Sequence, residues 1–165
     1  MKQLYAPWRT PYSSRISHDT SHYETSDQCV FCYQFSQEKD EHYFIIKRYT
    51  SVALMLNIYP YNAGHLLVIP FTHHDALNSL SEACQQEIMA VICKAQAVLK
   101  QVLHAQGCNI GINIGKAAGA GIPAHIHAHV LPRWFGDTNY LPIFGQTKQI
   151  SFDLTEIYTQ LKPHF

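Results

Sequence analysis

An α+β fold, with an antiparallel sheet of about five strands and one long helix on its apolar face, is what this 165-residue sequence predicts. Three observations carry that expectation. Between residues 81 and 106, Ile88, Val91, Ile92, Ala95, Val98, Leu99, Val102 and Leu103 keep the three-and-four spacing of a single buried helical stripe. Short apolar runs bounded by turn residues lie before it, at 42–48, 51–58 and 64–70. After it, "NIGINIG" and "HIHAHVLPRW" both alternate with the period of two that belongs to strands.

The elements follow in chain order. Residues 1–28 are polar and carry Pro7 and Pro11, and they read as an irregular arm packed through Tyr5, Trp8 and Tyr12. Residues 29–165 read as one continuous domain without linker or repeat. "HYFIIKR", "SVALMLNI" and "GHLLVIP" are the first three strands, the last bounded by "YPYNAG" and Pro70. Ser79 with Glu82 offers a capping box for the long helix, and Gly107 a residue to end it. In the next strand Ile110, Ile112 and Ile114 point one way and Asn109, Gly111 and Asn113 the other. The glycine-rich "GKAAGAGIP" then leads into the last strand, antiparallel to the one before it.

Composition excludes several classes of partner. Twelve basic and twelve acidic side chains give zero formal net charge, so neither a duplex nucleic acid footprint nor a polybasic membrane patch is present. No apolar stretch approaches the roughly 20 residues a membrane-spanning helix needs. "MKQLYAPWRT" lacks the apolar core of a secretory signal, so a cytoplasmic location is expected. Five cysteines, two of them in "CVFC", fit free or metal-bound thiols better than a disulfide framework.

His125, His127 and His129 stand at every second position and leave one face of a strand, about 7 Å apart in successive pairs from the strand rise. Imidazole serves as nucleophile, general acid or metal ligand near neutral pH. On spacing alone, surface histidines and a chelating His-x-His pair also remain open. Catalytic metal sites generally use nearby carboxylates, and none stands within six residues before His125 or seven after His129. If the strand register holds, Asn113 shares the histidine face.

"HIHAHVL" resembles the signature of the histidine triad (HIT) family. "NIYPYNAGHLLVIPFTHH" looks like the family's N-terminal signature, and "CVFC" matches the cysteine pair of many members. "APWR" and "PRWFGDTN" are similar to the small prokaryotic diadenosine tetraphosphate phosphorylase-like branch. The resemblance implies a HIT-like fold, with a sheet continuous across a homodimer. It implies cleavage of adenosine-containing dinucleotides at the α-phosphate, with water or orthophosphate as acceptor. His127 would be the nucleophile, and His129 would hold the phosphate oxygens. His65 would be the family's fourth histidine, and Asn113 would stand near the scissile bond.

Asn57 falls where the family contacts the ribose, and an Asn there favours dinucleotides over phosphoramidates. The family serine before the first histidine is missing, because Gly121, Ile122, Pro123 and Ala124 occupy that stretch. Phosphate binding would then rest on the backbone N–H groups of Gly119, Ala120, Gly121 and Ile122. A structural zinc would take Cys29, Cys32, His125 and His73, with His74 the adjacent alternative. Arg133 and Trp134 would meet a second nucleotide or a partner subunit, or, for Trp134, the core. Phosphoramidate hydrolysis, a binding module with little catalysis, and a metal hydrolase using His127 and His129 are the alternatives.

Overall fold

A computed structural model describes residues 29–145, 150 and 152–165, so the arm expected over 1–28 lies outside the described residues. Helix α1 (Val30–Ser36) is followed by strands β1 (Ile45–Arg48), β2 (Val52–Leu56) and β3 (Leu66–Pro70). The long helix α2 (Glu82–Val102) precedes β4 (Gly107–Ile112) and β5 (Ala128–Arg133). The short helices α3 (Leu141–Phe144) and α4 (Leu154–Leu161) come last. The five strands form one antiparallel sheet in the order β1-β2-β3-β5-β4.

The period of two sorts the sheet's side chains into two clusters. Leu54, Leu56, Leu66, Val68, Ile126, Ala128 and Val130 face α2, whose stripe of Ile88, Val91, Ile92, Ala95, Val98 and Leu99 covers them. On the opposite face Ala53, Met55, Leu67 and Ile69 meet Phe31 of α1 and Ile122. Both faces of β2 and β3 are therefore buried, which explains their unbroken apolar runs. The one long helix lies on one face, as expected, and the short helix α1 adds to the cluster on the other. Helix α4 was not anticipated: Asp153 caps it through Thr155 N and Glu156 N, and Ile157, Tyr158 and Leu161 add to the α2-side core.

Both ends of the long helix differ from expectation. Its cap is Ser81, which accepts from Cys84 N, while Ser79 sits in a preceding 3₁₀ turn. At the other end the left-handed position falls on His104 (φ 53°), not Gly107. Ala105 N–H reaches back to Leu99 O and Gln106 N–H bonds Arg133 O, so the chain already joins the sheet where the helix was expected to continue. Gly107 instead opens β4, paired with Arg133. The β5 ladder begins at Ala128, so His125 and His127 lie just before it rather than within it. Among the described residues no helix is long and apolar enough to cross a membrane.

Gly64 fixes the approach to β3. Its φ is +71°, and a Cβ there would stand 2.5 Å from Leu103 Cδ1 and 3.5 Å from Pro132 Cγ. Gly64→Ala combines left-handed strain with a clash against the end of α2. It is expected to lose about 2 kcal/mol and lower the melting temperature by about 4–8 °C, read by calorimetry. An unchanged melting temperature would show that this corner tolerates a side chain.

Candidate active site

The alternation that buries Ile126, Ala128 and Val130 under α2 turns His125, His127 and His129 to the other face. The His127 and His129 ring centroids stand 4.9 Å apart, closer than the strand rise alone would set them. Each ring is held differently, and hydrogen-bond donors decide the tautomers.

His127 Nδ1 lies 2.8 Å from the His125 carbonyl oxygen. A carbonyl only accepts, so Nδ1 carries the proton, and in the neutral ring Nε2 keeps its lone pair. His127 is buried, and burial pushes its pKa below the ordinary histidine value against the opposing pull of that carbonyl. A neutral ring with a free Nε2 lone pair is the form a nucleophile needs.

His129 is oriented through a relay. The backbone N–H of Tyr61 donates to His65 Nδ1 at 3.1 Å, so neutral His65 carries its proton on Nε2. That Nε2–H faces His129 Nδ1 at 3.0 Å, which puts the His129 proton on Nε2. Asn57 joins the same group: its Oδ1 accepts from Tyr59 N–H, which turns its Nδ2 toward His65 Nδ1 at 3.3 Å. Tyr61 stacks beside both rings, 4.9 Å from His65 and 6.0 Å from His129 between centroids. His65 is wholly buried, so this relay is shielded from water.

A pocket opens over these groups. Its polar lining is His127, His129, Asn57, Asn113, Gly119 and Gly121, and its apolar lining includes Val30, Phe31, Met55, Ile58 and Leu67, with Phe31 edge-on to His127. Asn113 thus shares the histidine face, and its Nδ2 reaches Gly119 O at 3.5 Å. Ile122 also lines the pocket, whereas Ala120 turns into the interior beside it. The N–H groups of Gly119 and Ala120 bond Lys116 O and Gly115 O within their own turn. Sequence reasoning missed Phe31, Gln34, Tyr59 and Tyr61 as pocket residues. For Phe31 a signal existed, since it stands inside the cysteine pair.

Beside the pocket, Cys29, Cys32, His73 and His125 bring their ligand atoms within 4.8 Å of one another. His125 Nε2–H donates to Pro70 O at 2.8 Å, which leaves Nδ1 as the ligand atom. That Nδ1 stands 3.3 Å from Cys29 Sγ and 3.5 Å from Cys32 Sγ, and His73 Nδ1 is 3.4 Å from Cys32 Sγ. Tetrahedral zinc with ordinary Zn–S and Zn–N bonds separates sulfur and nitrogen ligands by about 3.6 Å, so the donor set and its spacing fit that ion. Burial pushes the His125 pKa down to about 4, with His73, His127 and His74 adding to the shift against the Pro70 carbonyl. His73, not His74, belongs to the cluster; His74 contributes only a backbone carbonyl, to Ile126 N–H. Among the described residues His127 and His129 join no metal-ligating group.

Trp134 and Arg133 are bonded within the fold. Trp134 packs against the α2-side core and donates from Nε1 to Leu103 O. Arg133 is engaged by both oxygens of Asp137 and by Asn109 Oδ1. Cys84 is buried, Cys93 exposed and Cys108 between the two.

Known proteins resemble this chain in sequence and fold. Residues 36–136 match the HIT domain family. The chain is 34% identical over 150 residues to an AP-4-A phosphorylase of Mycobacterium tuberculosis, spanning 91% of this chain and 77% of that one. It is 36% identical over 81 residues to an asymmetrical bis(5'-nucleosyl)-tetraphosphatase of Schizosaccharomyces pombe, 49% of this chain and 44% of that one. The crystal structure of a zinc-bound histidine triad family protein from Mycobacterium smegmatis superimposes with a TM-score of 0.69 at 33% identity, covering 85% of this chain and 94% of that chain. With its triad, relay and sheet order already accounted for, the chain belongs to the HIT domain family.

Proposed function

We propose that this chain is a nucleotidyl transferase that cleaves adenosine-containing dinucleotides such as diadenosine tetraphosphate at the α-phosphate, with His127 as the nucleophile. The observation that carries this reading is the 2.8 Å bond from His127 Nδ1–H to the His125 carbonyl, which reserves Nε2 for attack at the pocket. His127 Nε2 forms a bond to the α-phosphorus as the bond to the bridging oxygen breaks, and ATP departs from diadenosine tetraphosphate. His129 Nε2–H, set by the His65 relay, donates to the phosphate oxygens on which charge develops. An oxygen of the acceptor then attacks the phosphorus, the P–N bond breaks and His127 is restored. Orthophosphate as acceptor yields ADP, and water yields AMP.

Orthophosphate is the acceptor supported by the name of the mycobacterial relative. Asn113 and the N–H groups of Gly121 and Ile122 are the proposed phosphate contacts, with Asn57 at the ribose. Of the loop residues named from sequence, Gly119 would contribute wall and chain reversal rather than its N–H, and Ala120 would support the turn. The edge strand β4 with Ile110, and Ile114 just beyond it, both half exposed, is the proposed seam of a homodimer. Zinc held by Cys29, Cys32, His73 and His125 is proposed as a structural ion. When bound it ties α1 to the approach of β5, and it supplies no step of the transfer.

His127→Asn keeps a polar side chain but removes the nucleophile. It is expected to lower turnover of diadenosine tetraphosphate by at least about 10³-fold while the melting temperature stays within a few degrees. Turnover at the wild-type rate would end the proposal. Chromatography of wild-type products is expected to show ADP and ATP in orthophosphate buffer and AMP and ATP in its absence; identical products in both would exclude orthophosphate as acceptor. For the metal, elemental analysis is expected to find one zinc per chain, lost in Cys32→Ser along with about 5–10 °C of thermal stability. Full stability without zinc would refute the structural assignment.

A further inference from the structure

We propose that Gln34 reads the amino group of an adenine base seated against the apolar lining of the pocket. The inference rests on the nucleotide reading above and deepens it, because nothing in the triad chemistry selects a base. Gln34 lines the pocket from α1, one turn beyond Val30 and Phe31, on the same side of that helix. Its Oε1 is buried and, among the described residues, accepts no hydrogen bond. A buried amide carbonyl without a donor is costly, and a ligand in the pocket can supply the missing donor.

The chemistry of a nucleotide narrows what that donor is. Phosphate oxygens only accept, so they cannot satisfy Oε1. The reading above already gives the phosphate to His127, His129 and Asn113, and the ribose to Asn57. What remains for the apolar wall is the base, a flat ring suited to Phe31, Met55 and Leu67. Adenine offers an exocyclic amine next to a ring nitrogen, and a glutamine amide matches that pair with one acceptor and one donor.

The test is a cycle between residue and ligand, using the zinc-loaded full chain and calorimetric binding. AMP is compared with purine ribonucleoside 5'-monophosphate, which differs only in lacking the 6-amino group. The wild type is expected to bind AMP about tenfold more tightly, and Gln34→Leu is expected to bind both equally at the weaker level. Gln34→Glu keeps an acceptor and is expected to retain the preference for AMP, which preserves the test if the leucine variant is poorly folded. Equal binding of the two nucleotides by the wild type would overturn the inference, as would a tenfold preference surviving in Gln34→Leu. Absence of binding by both nucleotides to the wild type would instead overturn the nucleotide reading, and this inference with it.

Discussion

The 2.8 Å hydrogen bond between His127 Nδ1 and the His125 carbonyl joins the two chemical centres of this molecule. One residue serves both. The His125 side chain points its Nδ1 at two cysteines and braces its other nitrogen on Pro70 O, while its main-chain carbonyl sets the tautomer of the neighbouring ring. Any shift of the segment before β5 therefore disturbs the ligand cluster and the proposed nucleophile together. Phe31 reinforces the coupling, with its ring edge-on to both imidazoles at 5.5 and 5.3 Å. Because Phe31 lies between Cys29 and Cys32, closing the cysteine pair also seats it against His127.

That coupling works only because the sheet keeps its register. A slip of one residue at β5 would turn Ile126, Ala128 and Val130 toward the pocket and the histidines into the α2 core, burying three polar rings among aliphatic groups. Pairing of β5 with β3 on one side and β4 on the other opposes such a slip. The stripe of α2 adds the apolar reward for the observed register. Helix packing far from the pocket thus contributes to which way the histidines face.

The pocket's polarity follows from the same two-sided arrangement. His65 sits at the start of β3, fully buried, and is satisfied by the Tyr61 N–H on one nitrogen and His129 on the other. The positive φ of Gly64 permits the turn that delivers it there. Burial keeps the proposed nucleophile and the proposed zinc ligand neutral, which suits both tasks, since each needs a lone pair rather than a proton.

Local pattern alone determined a good deal of this protein. The three-and-four spacing of Ile88 through Leu99 marked the long helix, and the strict alternation from His125 to Val130 marked a face of imidazoles opposite a face of aliphatics. Those periods are properties of single elements, so they are readable without knowing what each element meets. Where the long helix stops was not readable, because His104 and Ala105 are drawn away by the bond from Gln106 to Arg133, far along the chain. Helix α4 has a short stripe that becomes a core element only against α2 and β1. The doublet His73-His74 could not be resolved by spacing; it was decided by which ring reaches Cys32 across the fold. Tautomers, the relay through His65 and the buried Gln34 carbonyl likewise depend on atoms brought together from distant segments. Tertiary structure decided them because hydrogen bonds between side chains are contacts in space, and periodicity records only direction along one strand or helix.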